Sequence, residues 1–305
     1  MNYLITGATS FLGQEVISTL AQSGAEVYAV CRDAGKLGAS VREQCMPVEM
    51  EMSEYSSLDK RIDKADVFIH LAWAGTGHGG RDIVDIQLQN IRFTKEAMMA
   101  AHQIGCRLFV MAGSQAEYGA TTAPQREEME CAPFSEYGKA KLQVQQECSR
   151  LADELGLKYM HLRIFSLFGE SDHPWTLVMS CVDKMLRNEP IDLSPCTQNW
   201  NFLYVVDAAE QIMRLCAYVF DNNEFHCEVF NIASEDTRPL CEFVERMKEL
   251  TKSKSELHYG AVDPAHVVSL QPDMSKTKQC IGQLCTYNFE MVIKRIIDNH
   301  NDKTI

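Results

Sequence analysis

The chain predicts an α/β fold: a doubly wound parallel sheet followed by a smaller C-terminal α/β domain. Three observations point there. A strand, a Gly-rich turn and a helix open the chain without a gap. Strand-like and helix-like segments alternate through the first half. That rhythm then breaks after Phe168-Gly169.

The elements justify this in order. Asn2 to Thr6 is a short apolar run that at its length reads as a strand. Gly7-Ala8-Thr9-Ser10-Phe11-Leu12-Gly13 follows directly, and Gln14 to Ser23 has an amphipathic helical pattern. Together they form a dinucleotide-binding βα unit. Gly7 permits the tight turn, Gly13 lets the helix pack close to the strand, and N–H groups at the helix start can hold a pyrophosphate with the helix dipole behind them. Ser10 stands where the pattern has its middle glycine. Further strands are expected at 26–31, 44–50, 66–72, 107–112 and 158–165, with long helices at 83–104 and 135–155. Such alternation implies parallel strands joined by right-handed helical crossovers. Residues 170–200 carry Pro174, Pro190 and Pro195 and read as loops around one helix; 201–206 and 228–232 again read as strands, and the remainder is helix-rich. The expected division is 1–166 plus about 200–233 for the dinucleotide-binding domain, with 167–199 and 234–305 forming a substrate-binding domain.

Bulk properties narrow the function. A net charge of -13 speaks against a nucleic-acid or anionic-membrane partner. The 12 cysteines show no metal-like spacing, so no metal site is expected. Cys31, Cys106 and Cys216 sit in apolar runs and read as reduced, buried thiols of a cytoplasmic protein. No signal peptide precedes the first strand and no apolar run approaches the length of a membrane span.

Ligands of a doubly wound sheet bind beyond the carboxyl ends of its strands, and three groups of residues lie there. Ser114, with Gln115, directly follows the fifth strand, as either a site residue or a turn serine. Tyr137 and Lys141, at i and i+4, share a helix face. A phenol near pKa 10 is a poor acid–base catalyst at neutral pH, but a neighbouring ammonium favours the phenolate. Arg32-Asp33 stands at the tip of the second strand, where an acid binds the ribose hydroxyls of NAD and a base pairs with the 2′-phosphate of NADP. Arg32 comes first, which tilts the expectation towards NADP; an exposed loop charge pair is the competing reading.

These residues together resemble the extended short-chain dehydrogenase/reductase family, the NAD-dependent epimerase/dehydratase group, whose core is a Rossmann domain. The resemblance covers nearly the whole chain. Its pieces run in family order: Thr6-Gly7-x-x-Ser10-x-x-Gly13, His70-Leu71-Ala72, Asn90, Ser114 with Tyr118-Gly119, Tyr137-x-x-x-Lys141, Leu162-Arg163 with Phe168-Gly169, Tyr204-Val205-Val206-Asp207, Phe230-Asn231-Ile232 and Asp273-x-Ser275-Lys276. The resemblance implies that Tyr137 is the acid/base at a sugar hydroxyl or ketone, that Ser114 hydrogen-bonds the same oxygen, and that Lys141 binds the nicotinamide ribose. It puts Gly7, Ser10, Phe11, Leu12 and Gly13 around the pyrophosphate and Glu51 and Met52 beside adenine. Leu71, Ala72, Trp73 and Asn90 line the cofactor crevice, and Gln115, Phe165 and Ser166 join Ser114 on the substrate side. It also implies a nucleoside-diphosphate sugar as substrate, often modified at C4, and a homodimer that pairs the helices at 83–104 and 135–155.

Departures sharpen these expectations. Dehydratases of the family carry Thr-Asp-Glu where this chain has Ser114-Gln115-Ala116, so dehydration is not expected. Glu117 is one residue late and, on an extended segment, would point the other way. Two arginines that many relatives direct at the substrate diphosphate are replaced by Trp200 and by the arginine-free stretch 267–272. Trp175 and Trp200 could stack on a base or sugar, or simply pack. The leading expectation is an NAD(P)-dependent nucleotide-sugar epimerase or 4-keto reductase. The alternative is a non-catalytic dinucleotide sensor or scaffold protein.

Overall fold

The computed structural model describes residues 1–77, 79–263 and 268–302, without the side chains of the last two. One parallel sheet contains β1 (Asn2–Thr6), β2 (Glu26–Cys31), β3 (Met46–Glu49), β4 (Val67–His70), β5 (Leu108–Ala112), β6 (Lys158–Ile164) and β10 (Cys227–Ile232). Its spatial order is β10-β6-β5-β4-β1-β2-β3. A second sheet has the order β11-β9-β7, from β7 (Ser166–Phe168), β9 (Asn199–Tyr204) and β11 (Thr237–Pro239), and β8 (Ile191–Leu193) pairs with β12 (Leu257–Tyr259). The helices are α1 (Phe11–Gln22), α2 (Ala39–Glu43), α3 (Val84–Ile104), α4 (Glu136–Leu155), α5 (Leu177–Leu186), α6 (Val205–Asp221), α7 (Leu240–Thr251), α8 (Ser275–Ile281) and α9 (Phe289–Asp302).

The central strands are apolar at successive positions because both faces of the sheet are covered. Tyr3 and Ile5 of β1, with Leu108 and Val110 of β5, turn to the core shared with α1 and α6. Leu4, Phe109 and Met111 turn to the opposite core, with α3 and α4. The expected third strand shortens to four residues, and its pattern is weak because it is an edge strand with mostly exposed side chains.

Two boundaries differ from expectation for physical reasons. The strand expected at 201–206 ends at Tyr204, because Val205 and Val206 already form the first turn of α6. The expected domain division places residues from about 200 to 233 together with the dinucleotide-binding domain. Within them β10 joins the large sheet beside β6, whereas β9 pairs with β7 and β11 in the small one. From β1 the chain winds outward to β3, then crosses to β4 on the other side of β1. This reversal opens a crevice at the carboxyl ends of β1 and β4.

Candidate active site

The Gly-rich turn sits at that reversal point. Gly7 has φ +71°, and a Cβ there would lie 2.7 Å from the Ala72 N, so both conformation and space require glycine. A Cβ on Gly13 would overlap the Gly7 carbonyl oxygen. Ser10, in place of the middle glycine, is the N-cap of α1, and its hydroxyl accepts the Gly13 N–H at 3.0 Å. The first-turn N–H groups of Phe11 and Leu12 have no intrahelical acceptor by helix geometry. The turn therefore fits a pyrophosphate.

At the ends of β2 and β3, Arg32 and Glu51 are exposed and Met52 is half-buried against the core. The Asp33 carboxylate accepts the Gly35 N–H at 2.9 Å, which closes the turn after β2. Glu51 caps the 3-10 helix that begins at Met52.

The segment after β4 is held from below. His70 is fully buried, its Nδ1 2.7 Å from the Thr6 hydroxyl and its Nε2 3.1 Å from the Thr94 hydroxyl. The Thr94 hydroxyl is itself the donor to the Asn90 carbonyl, so the Nε2–H tautomer satisfies the chain of bonds. Burial, and then the Lys141 charge, push the His70 pKa down to about 3, so this histidine is a neutral tie between strands and helix. Leu71 and Ala72 pass against Gly7. Both polar ends of the Asn90 amide are committed to the backbone of Ala74, at 2.9 Å each. Asn90 therefore shapes the loop that lines the crevice. Gln87 accepts from the Trp73 indole at 2.9 Å and donates to the Gly80 carbonyl at 2.9 Å.

Ser114, Tyr137 and Lys141 converge beside this loop. The Ser114 hydroxyl lies beside the Tyr137 phenol and favours its phenolate. The Lys141 ammonium is buried, donates to the Ala112 carbonyl at 2.6 Å, and stands 3.7 Å over the Trp73 ring. Burial pushes its pKa down to about 7, against a raising effect from Glu117. Burial raises the Tyr137 pKa, while Arg81 and the Ser114 hydroxyl pull it back. The Arg81 guanidinium lies 4.3 Å over the Tyr137 ring, and its carbonyl accepts the Tyr137 N–H at 2.9 Å. Arg81 has no counterpart in the sequence reading. The signal available was a single arginine after Gly79-Gly80 in the loop that follows a strand.

Glu117 corrects one expectation. It lies on a 3-10 turn, not an extended segment, and its carboxylate is fully buried. It accepts the Ser114 N–H at 2.7 Å, meets His161 Nε2 at 2.9 Å and pairs with Arg163 Nε at 3.0 Å. It fixes the backbone of Ser114 from behind.

The expected substrate-side residues scatter. Gln115 is half-buried at the start of that same 3-10 turn. Phe165 is buried against Tyr118, and Ser166 opens β7 opposite Phe202. Trp175 is 73% exposed and stacks on His173 at 4.3 Å. Trp200 is half-buried on β9 opposite Arg238, and its indole N–H has no acceptor among the described residues.

The model of the NAD dependent epimerase/dehydratase family matches residues 3–233. The chain belongs to this family. Among curated members, it is 21% identical to an uncharacterised UDP-glucose epimerase of Bacillus subtilis over 294 residues, 92% of either chain. It is 23% identical over 278 residues to dTDP-4-dehydro-6-deoxyglucose reductase of Escherichia coli, covering 86% of this chain and 85% of the relative. Its fold matches the UDP-glucose 4-epimerase of Thermotoga maritima solved with UDP-glucose, with TM-score 0.84 and 20% identity over the whole of both chains. It also matches the UDP-glucuronic acid 4-epimerase of Bacillus cereus solved with UDP-glucuronic acid and NAD, with TM-score 0.83, 19% identity, and 99% and 100% of the chains covered.

Proposed function

We propose that this epimerase/dehydratase-family chain is a nicotinamide-dependent nucleotide-sugar epimerase or 4-keto reductase acting at C4 of the sugar. The convergence of Ser114, Tyr137 and Lys141 at the mouth of the crevice behind the Gly7–Gly13 turn carries this reading. Relatives named for UDP-glucose epimerisation and dTDP-4-keto-sugar reduction support it.

In this reading Tyr137 takes the proton from the C4 hydroxyl or returns it to the ketone, and Ser114 hydrogen-bonds the same oxygen. Lys141 meets the nicotinamide ribose with the N–H groups left free by its one bond to the Ala112 carbonyl. The bound nicotinamide supplies the hydride acceptor or donor. Glu117 is committed to Arg163, His161 and the Ser114 N–H, which leaves no free carboxylate here for dehydration.

The exposed Arg32 supports room for a 2′-phosphate, hence NADP, and the NAD of the family's name supports the plain dinucleotide. Arg32→Glu should weaken NADPH binding far more than NADH binding; equal losses in fluorescence titrations would void the NADP reading. We further propose the domain division at the change of sheets. A dimer through α3 and α4 is supported by the exposed Val84, Leu88 and Met99 of α3. Cytoplasmic residence is supported by twelve free cysteines.

The deciding experiment incubates the protein with NADH or NADPH and a panel of UDP-, dTDP-, CDP- and GDP-4-keto sugars, following absorbance at 340 nm and product stereochemistry. Stoichiometric cofactor oxidation identifies a reductase. Exchange at C4 without net oxidation, in the same panel extended to the 4-hydroxy sugars, identifies an epimerase. Cofactor binding with no turnover of any sugar would reject both and leave the sensor reading.

A further inference from the structure

Two cations lie close to Tyr137, and they are not equivalent. Lys141, one helical turn along α4, has its ammonium 5.7 Å from the phenol ring centre, with one bond to the Ala112 carbonyl and the Trp73 face beneath it. Arg81 is nearer, with its guanidinium 4.3 Å from the same ring centre. Its backbone is tied to the start of α4 through the bond from the Tyr137 N–H to the Arg81 carbonyl. A guanidinium keeps its charge at any pH the protein meets, whereas a buried ammonium does not.

The loop that carries Arg81 is braced. A Cβ on Gly80 would lie 2.6 Å from the Gly75 Cα, so these two backbones touch, and the Gln87 amide donates to the Gly80 carbonyl at 2.9 Å. Arg81 is thus presented to Tyr137 by a closed loop and a fixed helix start. The Arg81 Nε is buried and finds no acceptor among the described residues. A buried N–H beside a catalytic phenol and without a protein partner calls for an acceptor from the ligand.

We propose that Arg81 is a further catalytic residue of this site: its fixed positive charge sustains the Tyr137 phenolate, and its Nε–H is offered to an oxygen of the reacting sugar. The inference rests on the nucleotide-sugar reading above for the identity of that oxygen, and not for the effect on Tyr137. The charged groups bearing on the phenol are Arg81, Lys141 and Glu117, of which Arg81 and Lys141 favour the phenolate and Glu117 opposes it. The neutral Ser114 hydroxyl also favours it.

The test uses Arg81→Gln and Arg81→Lys in the full chain, each saturated with NAD. Tyrosinate absorbance is titrated as the difference from Tyr137→Phe, and the pH profile of kcat is recorded with the best sugar of the panel. Arg81→Gln should raise the Tyr137 ionisation by about 1–3 pH units in both readouts, with NAD affinity unchanged. Arg81→Lys should keep most of that ionisation yet raise KM for the sugar, because a lysine cannot restore the Nε–H at its place. An unmoved tyrosinate titration in Arg81→Gln overturns the electrostatic role, and an unmoved KM in Arg81→Lys overturns the sugar contact. If no sugar in the panel is turned over, the nucleotide-sugar reading fails and takes the sugar contact with it. The tyrosinate titration still decides the role at Tyr137.

Discussion

Tyr137 shows at the scale of one residue how burial and charge compete. Its ring is buried, which raises the cost of the phenolate, and the nearby guanidinium and serine hydroxyl lower it again. Tyr137→Phe removes only the oxygen. Turnover should then fall by about 10²–10⁴-fold while NAD(P) affinity, read by fluorescence titration, stays within the wild-type range. Unchanged rates would remove Tyr137 from its role. The pair Tyr137 and Lys141 was legible because the i, i+4 spacing is local and helices preserve it. Arg81 was not legible, because its contact with Tyr137 spans a loop whose path depends on Gly75, Gly80 and Gln87.

Two short elements decide how the site is built. In the Gly7–Gly13 turn, the serine at the middle position works as a helix cap, so the departure from the glycine pattern is a gain for α1. Gly13→Ala would drive its Cβ into the Gly7 carbonyl. The expected cost is about 1–3 kcal/mol in denaturant unfolding, together with loss of dinucleotide affinity. The 3-10 turn after β5 depends on Glu117. Glu117→Gln strips a buried partner from Arg163 and should cost about 3–5 kcal/mol by the same measurement. The pH dependence has a definite sign. Burial alone would push the Glu117 carboxyl up, but His161, Arg163 and the Ser114 N–H hold it below the ordinary range. A depressed carboxylate contributes stability that is complete above its unfolded pKa of about 4.3 and is lost as pH falls through the folded value. Acid titration of unfolding should therefore fall more steeply for the wild type than for Glu117→Gln below that pH. The turn itself escaped the sequence reading, because Gln115-Ala116-Glu117 carries no pattern that separates one turn of helix from an extended segment.

At the scale of the molecule, the outer face of α3 is the exposed apolar surface that the dimer proposal uses. Leu88 and Met99 are 51% and 50% exposed, on the same face as Arg92 and Lys95. With Gln143 of α4 they line a shallow groove of about 350 Å³. Leu88→Asp combined with Met99→Asp should convert a dimer to a monomer in light scattering without lowering the thermal midpoint of the isolated subunit. A mass unaffected by these changes would reject this interface.

The sequence by itself determined the parallel sheet, the Gly-rich turn after its first strand and the Tyr137–Lys141 pair. Those features follow from strand length, helical period and turn glycines, which act between near neighbours. Only the tertiary structure decided that β9 leaves the large sheet, that Asn90 serves Ala74, and that Glu117 turns inward to Arg163. It alone brought Arg81 onto Tyr137. Each of these depends on which polar group lies nearest once distant segments pack. A buried donor or charge takes the partner the fold brings to it, and chain spacing does not encode that choice.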